Sequence, residues 1–310
     1  NLMRLALIIL FSITALVLSG LAIFLVPPHL QIRSVEPTLP EEAELRAIAS
    51  TPSGPIGIHY INTSTQQLPD GQLAHTVFLI EWANGNLFMI DAGMDSETAL
   101  EFGKLPEIAL GAEQAVSHGT IASLLGDALA RVKAMAFTHL HIDHTQGTIP
   151  LCDAGGGKIE VFQTSWQKEL HNFNTQEGAR IVADSCLERV TLQGEGVLTA
   201  DAYPGLGIVG LGGHTPGSTL YVVSVDGTLW LMSGDISNSK ADLVSNRGKG
   251  FLYSYLLVPE NTNRTRELRL WLSAMDANDD VKVIVSHDLG DIESSGMPVY
   301  QDTNLLPRAR

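Results

Sequence analysis

A dense group of metal-binding residue types stands near the middle of the chain. Between positions 139 and 144 the sequence reads His-Leu-His-Ile-Asp-His. Neutral imidazole and carboxylate are the donors that zinc and similar divalent ions take from proteins. Burying so many polar groups without a partner would be costly. The sequence therefore predicts a metal site with His139, His141, Asp143 and His144 as donors.

Three further donors occur singly, each in a glycine-rich turn or after an apolar run. They are His214 within Gly212–Ser218, Asp235 after Gly234, and His287. Alone they would be interpreted as ordinary core or surface residues, as we interpret His29, His59, His75, His118 and His171. Beside the cluster they complete a two-metal set, because two ions about 3.5–4 Å apart can activate a shared water and polarise a substrate oxygen. We expect one ion at His139, His141 and His214, the other at Asp143, His144 and His287, and Asp235 as the bridge.

Apolar strands must position these donors. Residues 132–138 end at the cluster and residues 281–286 end at His287, and both runs predict short buried strands. Asn84-Gly85 and Asp226-Gly227 predict hairpin turns, the first between 76–82 and 87–90, the second between 219–225 and 228–232. Helical spacing of apolar residues predicts helices over 119–132 and 263–277. Hairpins alternating with helices predict a layered α/β domain.

The N-terminal part is apolar and stands apart from the rest. No charged residue occurs from Leu5 to Val26, after which we expect Pro27-Pro28 to end the helix. A helix of this length is about long enough to cross a bilayer core of ~30 Å. It predicts a membrane anchor or a cleaved signal segment, and less readily a buried core helix. Either of the first two would place the domain outside the cytoplasm, in the periplasm or extracellular space. The expected divisions are 1–27 for this segment, 28–52 for a linker, 53–299 for the domain and 300–310 for a tail.

The overall charge and the cysteines narrow the function further. The chain carries 34 acidic and 19 basic residues, for a net charge of −15. A field of this sign repels phosphate backbones, so we expect no nucleic-acid partner. Cys152 and Cys186 could close a disulfide in an oxidising compartment, or remain two separate thiols. The sequence does not predict the oligomeric state.

The motifs together resemble those of the metallo-β-lactamase superfamily. The H-x-H-x-D-H motif is complete at 139–144, and the other matches follow in family order: Ile90-Asp91-Ala92-Gly93, Gly213–Ser218, Gly234-Asp235 and His287. The resemblance implies an αββα sandwich, here with an N-terminal transmembrane or signal helix. It also implies that Asp91 orients a metal ligand, although a residue at the end of a strand can simply shape a turn.

The complete donor set is most similar to lactonases, glyoxalase II-type thioesterases and related hydrolases. The resemblance implies two Zn²⁺ ions, with Mn²⁺ or Fe²⁺ also suited to these donors. We expect a metal-bridging hydroxide to attack the carbonyl of an ester, lactone or thioester. Asp143 and Asp235 would take part as carboxylates, and Asn238 stands where acyl-homoserine lactonases carry a tyrosine that binds the substrate carbonyl. The alternatives are a subclass B3-like β-lactamase and a membrane-anchored metal-binding module without catalysis.

Specificity is expected to lie in the loops around the metals. The aromatic run from Phe251 to Tyr255 could form a wall over the site, with Met94 as a further candidate. The predicted substrate contacts are Met94, Phe251, Tyr253 and Tyr255. The competing interpretation is that these side chains only pack the domain. A small molecule is the expected substrate.

Overall fold

Two β-sheets pack face to face and carry helices on their outer surfaces. The computed structural model describes residues 2–155 and 157–301. In this part of the chain the strands are β1 (Gly57–Leu68), β2 (Gly71–Glu81), β3 (Leu87–Ile90), β4 (Val116–Ser117), β5 (Val132–Ala136), β6 (Glu160–Thr164), β7 (Glu188–Leu192), β8 (Val197–Leu198), β9 (Gly207–Gly210), β10 (Thr219–Val225), β11 (Thr228–Met232) and β12 (Val281–Ile284). The first sheet has the order β4-β1-β2-β3-β5-β6-β7, and the second has the order β12-β11-β10-β9-β8.

Most helices fill the connections between these strands. The α-helices are α1 (Leu2–Arg33), α2 (Glu42–Ala49), α3 (Ser96–Leu110), α4 (Ile121–Leu125), α5 (Ile142–Thr145), α6 (Thr148–Asp153), α7 (Ser165–Glu169), α8 (Gln176–Asp184), α9 (Lys240–Val244), α10 (Thr262–Asp276) and α11 (Leu289–Ser294). Gly126–Arg131 and Gly234–Ile236 form 3₁₀ turns, and Tyr253–Leu257 forms a π-helical turn.

Alternation along the strands builds three apolar layers. Phe78 and Ile80 on β2 face the second sheet, whereas Val77 and Leu79 face the helices outside the first sheet. On β10, Tyr221 and Val223 meet the first sheet, and the intervening residues pack with α2 and α10 on the other side. Successive side chains of a strand point to opposite faces, so each sheet is covered on both sides. The predicted αββα sandwich is confirmed.

Helix α1 is longer than the sequence predicts. We expected it to end at Pro27-Pro28, but it continues through both prolines to Arg33. Proline lacks an N–H group and weakens a helix interior. Here the last turns are held by the domain, because Ile32 is fully buried. Within the described residues, α1 is also the one helix long and apolar enough to cross a membrane.

The segment predicted as a linker is packed onto the second sheet. Residues 28–52 include the end of α1 and all of α2, whose Leu45 and Ala49 are buried against that sheet. Glu41 and Glu44 form a capping box at the start of α2. Arg46 binds Asp280 on the loop before β12 through two hydrogen bonds of 2.7 and 2.9 Å. The acidic residues of this segment cap α2, through Glu41 and Glu44, and form an ion pair with Arg46, through Glu42.

Cys152 and Cys186 form a disulfide, with Cα atoms 5.6 Å apart. The bond joins α6 to the chain just before β7. Of the predicted tail, Tyr300 pairs with β1, where its backbone N–H donates to the carbonyl of Tyr60 at 2.8 Å. Residues 302–310 lie outside the described residues.

Candidate metal centre

The predicted donors meet at one edge of the sandwich. In the first sheet β3 and β5 run parallel, and in the second sheet β9, β11 and β12 share one direction. Each donor follows the C-terminal end of one of these strands. The carboxyl ends of parallel strands meet at the same edge of a sheet, which is a common position for a site in α/β proteins. Turns distant in sequence therefore converge.

The first group of donors contains His139, His141 and His214. One nitrogen of each ring lies within 4.8 Å of the others. His139 and His214 are 1% exposed. His139 Nε2 lies 2.9 Å from His141 Nδ1. The three predicted partners of one ion are thus brought together.

The second group contains Asp143, His144 and His287. His144 Nε2 is 3.4 Å and His287 Nε2 is also 3.4 Å from Asp143 Oδ2. Asp235 lies between the two groups: its Oδ2 is 3.0 Å from His287 Nε2 and 3.8 Å from His214 Nε2. Asp235 therefore stands in the place expected of a bridging carboxylate.

Several buried polar atoms at this place have no hydrogen-bond partner among the residues that the structure describes. They are His141 Nε2, His144 Nε2, His214 Nε2 and Asp235 Oδ1. A buried unpaired polar group costs roughly 1–3 kcal/mol. Three imidazole nitrogens that converge with the carboxylates of Asp143 and Asp235 form a donor set that suits divalent cations. The residues present thus fit the metal ions that the sequence implies.

Asp91 holds His144 in place. Its Oδ2 lies 2.8 Å from His144 Nδ1, while Thr138 donates to both carboxylate oxygens through its backbone N–H and its hydroxyl. Asp91 has a φ of +64°, which non-glycine residues rarely adopt. The next turn packs closely, since a Cβ on Gly147 would lie 2.0 Å from the carbonyl oxygen of Ala92. The geometry turns His144 Nε2 toward the centre.

The other outward-facing imidazole nitrogens are also bound. His287 Nδ1 donates to the carbonyl of Ala74 at 2.6 Å, which leaves Nε2 as the inward-facing nitrogen. His214 Nδ1 lies 2.6 Å from Glu260 Oε1. Such partners fix ring orientation and tautomer in metal-binding histidines.

Glu260 is a site residue that the sequence did not indicate. It is 2% exposed and accepts a hydrogen bond of 2.5 Å from Ser254 Oγ. Lys249 Nζ lies 3.7 Å from Glu260 and 3.9 Å from Asp235, so a buried cation stands beside the donor set. Burial alone would raise the pKa of Glu260, but Lys249 and His214 lower it to about 2. Glu260 precedes α10 as one of many acidic residues, and no local motif marks it.

His75 also belongs to the cluster, although we interpreted it as structural. Its Nε2 lies 3.8 Å from Asp143 Oδ2, and His75, Asp143 and His287 form a further donor group. Nδ1 lies 2.9 Å from Ser64 Oγ, while the buried Nε2 has no hydrogen-bond partner within residues 2–155 and 157–301. A bulge in β1 between Asn62 and Ser64 shifts the register beside it. Within a strand pattern nothing distinguishes His75 from a core histidine.

The charges of the cluster oppose one another. Burial, followed by the neighbouring imidazoles, lowers the pKa of His139 and lowers that of His141 to about 3. Burial alone would lower the pKa of His144, but Asp143 and Asp91 raise it. Burial alone would raise the pKa of Asp235, but His287 and Lys249 lower it. The lowered pKa of Asp235 favours its ionised form, which suits it to bind a cation.

The predicted substrate residues are spread over different surroundings. Met94 is fully buried, so it offers no surface to a substrate, contrary to our expectation. Asn238 is exposed. Tyr253 is half-buried, and its ring centroid lies 5.1 Å from Lys249 Nζ. Burial raises the pKa of Tyr253, and the negative charges of Asp235 and Glu260 raise it further. Tyr255 is half-buried and stacks on the exposed Phe251, with ring centroids 4.8 Å apart.

Several solved structures share this fold. An N-acyl homoserine lactone hydrolase, solved with N-hexanoyl-L-homoserine at its catalytic metal centre, has a TM-score of 0.58 and 14% identity, over 80% of this chain and 99% of that chain. A probable metal-dependent hydrolase from Staphylococcus aureus has a TM-score of 0.51 and 15% identity, over 77% and 91%. AidC, described as a dizinc quorum-quenching lactonase, has a TM-score of 0.50 and 14% identity, over 76% and 89%.

At these identities the similar structures establish the fold alone. No curated protein matches the chain in sequence. The sequence profile of the metallo-beta-lactamase superfamily matches residues 70–287, which include every predicted metal donor. With this match, the αββα fold and the donor geometry, the chain belongs to the metallo-β-lactamase superfamily and is a metal-dependent hydrolase.

Proposed function

We propose that the protein is a binuclear hydrolase of esters, lactones or thioesters. The observation that carries the proposal is the pair of adjacent donor groups with Asp235 between them, 3.0 Å from His287 and 3.8 Å from His214. The similar structures support this choice because two are described as lactone hydrolases. Two Zn²⁺ ions suit the donors best, and Mn²⁺ or Fe²⁺ would also fit.

When bound, such ions would supply an activated water and polarise a carbonyl oxygen. The chain's own residues would keep the donors in position. His139, His141 and His214 would hold one ion, Asp143, His144 and His287 the other, and Asp235 both. Asp91 and Glu260 would keep the Nε2 atoms of His144 and His214 turned inward.

The group that orients the substrate carbonyl is part of the proposal. Asn238 was expected in this role, but its exposure favours another donor. Tyr253 is a better candidate, because its ring centroid lies 5.1 Å from Lys249 Nζ, which is itself 3.9 Å from Asp235 Oδ2. A phenol is protonated at neutral pH and can donate a hydrogen bond, and the raised pKa of Tyr253 extends this to more alkaline conditions.

The test combines metal content with a substrate panel. We expect about two equivalents of metal by elemental analysis, and hydrolysis of lactones or thioesters by the purified protein. The panel includes a chromogenic cephalosporin and a phosphodiester. Cephalosporin turnover without lactone turnover would replace the proposal with the B3-like β-lactamase. Full metal content with no turnover of any substrate would indicate the non-catalytic metal-binding module.

We also propose that α1 anchors the protein in a membrane, with the domain outside the cytoplasm. The apolar window of α1 has no buried residue. The Cys152–Cys186 disulfide supports an oxidising compartment. Fusion of a reporter enzyme after residue 301 tests the orientation: a reporter active only in the periplasm should be active, and one active only in the cytoplasm should not.

A further inference from the structure

The segment from Phe251 to Leu257 has an apolar outer face. Phe251 and Leu252 are each 67% exposed, Leu256 is 44% exposed and Leu257 is 48% exposed. A contiguous patch of large exposed apolar side chains usually marks an interaction surface, whereas single exposed apolar residues are normal on protein surfaces. We call residues 251–257 the apolar lip.

The inner face of the apolar lip borders the metal centre. Ser254 donates to Glu260, and Tyr253 lies over Lys249, which itself is 3.9 Å from Asp235. A cavity of about 370 Å³ runs along the lip, with Lys249, Phe251, Ser254, Tyr255, Glu260 and Arg269 among its lining residues. The lip therefore lies between the donor set and the surroundings of the domain.

The end of α1 is docked against this same lip. His29 Nε2 donates to the carbonyl of Tyr255 at 3.1 Å, and the two rings are 5.4 Å apart. Phe24 stacks on Phe173 with ring centroids 4.5 Å apart. The neighbouring Asn174 donates to the carbonyl of Leu257 at 2.8 Å. The apolar helix thus leaves the domain beside the lip.

The length of α1 fixes where a bilayer would lie. The candidate span begins at Met3. From residue 3 to residue 23 a helix extends about 31 Å, which matches a hydrocarbon core of ~30 Å. Phe24 is the next residue, so its contact with Phe173 would fall at the membrane surface. Exposed side chains of the lip, joined to the same contact region, would then face the lipid.

We propose that the apolar lip contacts the bilayer surface beside α1, and that the metal centre acts on long-chain acyl esters or lactones drawn from the bilayer. The outer face of the lip would contact lipid, because this face adjoins α1, the helix that would span the bilayer. The substrate class rests on the proposed function, whereas the lipid contact does not.

The lipid contact is tested in the full-length protein reconstituted into phosphatidylcholine vesicles with brominated acyl chains. Leu252→Trp is the probe, and Ile108→Trp is the matched control, since Ile108 is 86% exposed on α3. We expect bromolipid to quench the added fluorescence of Leu252→Trp at least about threefold more than that of the control. Equal quenching would overturn the contact. Weak quenching, together with tryptophan fluorescence that changes with the number of protein molecules per vesicle, would overturn the lipid contact. It would indicate that the lip binds a second copy of the chain.

The substrate class is tested with the double variant Leu252→Ser/Leu256→Ser, against Leu105→Ser/Ile108→Ser as control. In vesicles we expect kcat/KM for a dodecanoyl lactone to fall about tenfold in the lip variant only. Turnover of a butanoyl lactone should be unchanged. An equal effect on both chain lengths would overturn the substrate class. Absence of all lactone turnover in the unaltered protein would overturn the proposed function instead, and the quenching result would stand.

Discussion

Single side chains outside the predicted donor set control how the donors are presented. Glu260 illustrates this, because it contacts His214 much as Asp91 contacts His144. The carboxylate oxygen lies 2.6 Å from the imidazole nitrogen in the first pair and 2.8 Å in the second. The carboxylates approach the imidazoles from outside the centre. Both are buried, so each is protected from competing water. Their effect should therefore be measurable as metal affinity.

Glu260→Gln should weaken metal binding about 10–100-fold, the usual cost of losing such a partner. The glutamine keeps the shape but removes the charge that balances Lys249 and supports His214. Chelator competition measures the affinity. Glu267→Gln on α10 is the control, since Glu267 is 60% exposed and pairs with Arg264 rather than with a metal donor. Equal affinities of the two variants would contradict this role.

His75 should act as an additional donor near Asp143. If so, His75→Gln will lower the affinity for the second equivalent of metal and leave the first nearly unchanged, because His75 lies near Asp143 and His287. Stepwise titration with Co²⁺, followed by its visible spectrum, separates the two sites. His118→Gln is a suitable control, as His118 contacts Thr65 on the same strand as Ser64. A loss of thermal stability with both metal affinities intact would make His75 purely structural.

At the scale of elements, local patterns predicted the strands well. The runs at 219–225 and 228–232 are β10 and β11, and the hairpin at Asn84-Gly85 joins β2 to β3. The predicted helix at 119–132 is instead α4 followed by a 3₁₀ turn, since Gly126 adopts a φ of +52° at the junction. Strand β1 was missed because its residues lack a clear alternation. Its burial depends on neighbours on both faces, which the sequence does not display.

The long-range contacts were the least predictable. The seven donors could be grouped because the dense cluster at 139–144 indicated a metal site, which His214, Asp235 and His287 could then complete. Glu260, Lys249 and His75 enter the site only through the packing of separate elements. The docking of α2 likewise depends on a sheet that is complete only in the folded domain. Sequence spacing carries no direct record of such contacts.

The disulfide is an element-scale constraint with a measurable effect. It closes a separation of 34 residues between α6 and the start of β7. By loop-closure entropy this corresponds to about 4 kcal/mol, and measured values usually fall between 2 and 4. Cys152→Ser/Cys186→Ser should therefore lower the free energy of unfolding by about 2–4 kcal/mol. Urea denaturation measures this difference. The same double variant should show no further loss on adding dithiothreitol, whereas the unaltered protein should. A variant as stable as the oxidised protein would contradict the estimate.

At the scale of the whole molecule, the metal centre joins the two sheets, and its charge balance should govern stability. Asp143 and Asp235 are buried among imidazoles, and those imidazoles lower the pKa of both carboxyl groups. Anything that binds only the folded state adds stability, by about 2.7 kcal/mol at a hundredfold excess over its dissociation constant. Metal removal should thus lower the melting temperature, and the loss should depend on pH.

The metal-free protein should be most stable near neutral pH. Burial lowers the pKa of His75 and His141 to about 3, so the unfolded chain binds more protons between about 3 and 6.5, and stability rises with pH in that range. The pKa of His144 is raised by Asp143 and Asp91, so its contribution is present below 6.5 and lost as pH rises through the folded value. Calorimetry of chelator-treated protein from pH 4 to 9 should show the maximum. Above neutral pH the metal-loaded protein should keep its melting temperature, because the ions replace the proton on His144. A parallel decline of both forms would mean that the metal does not take the place of that charge.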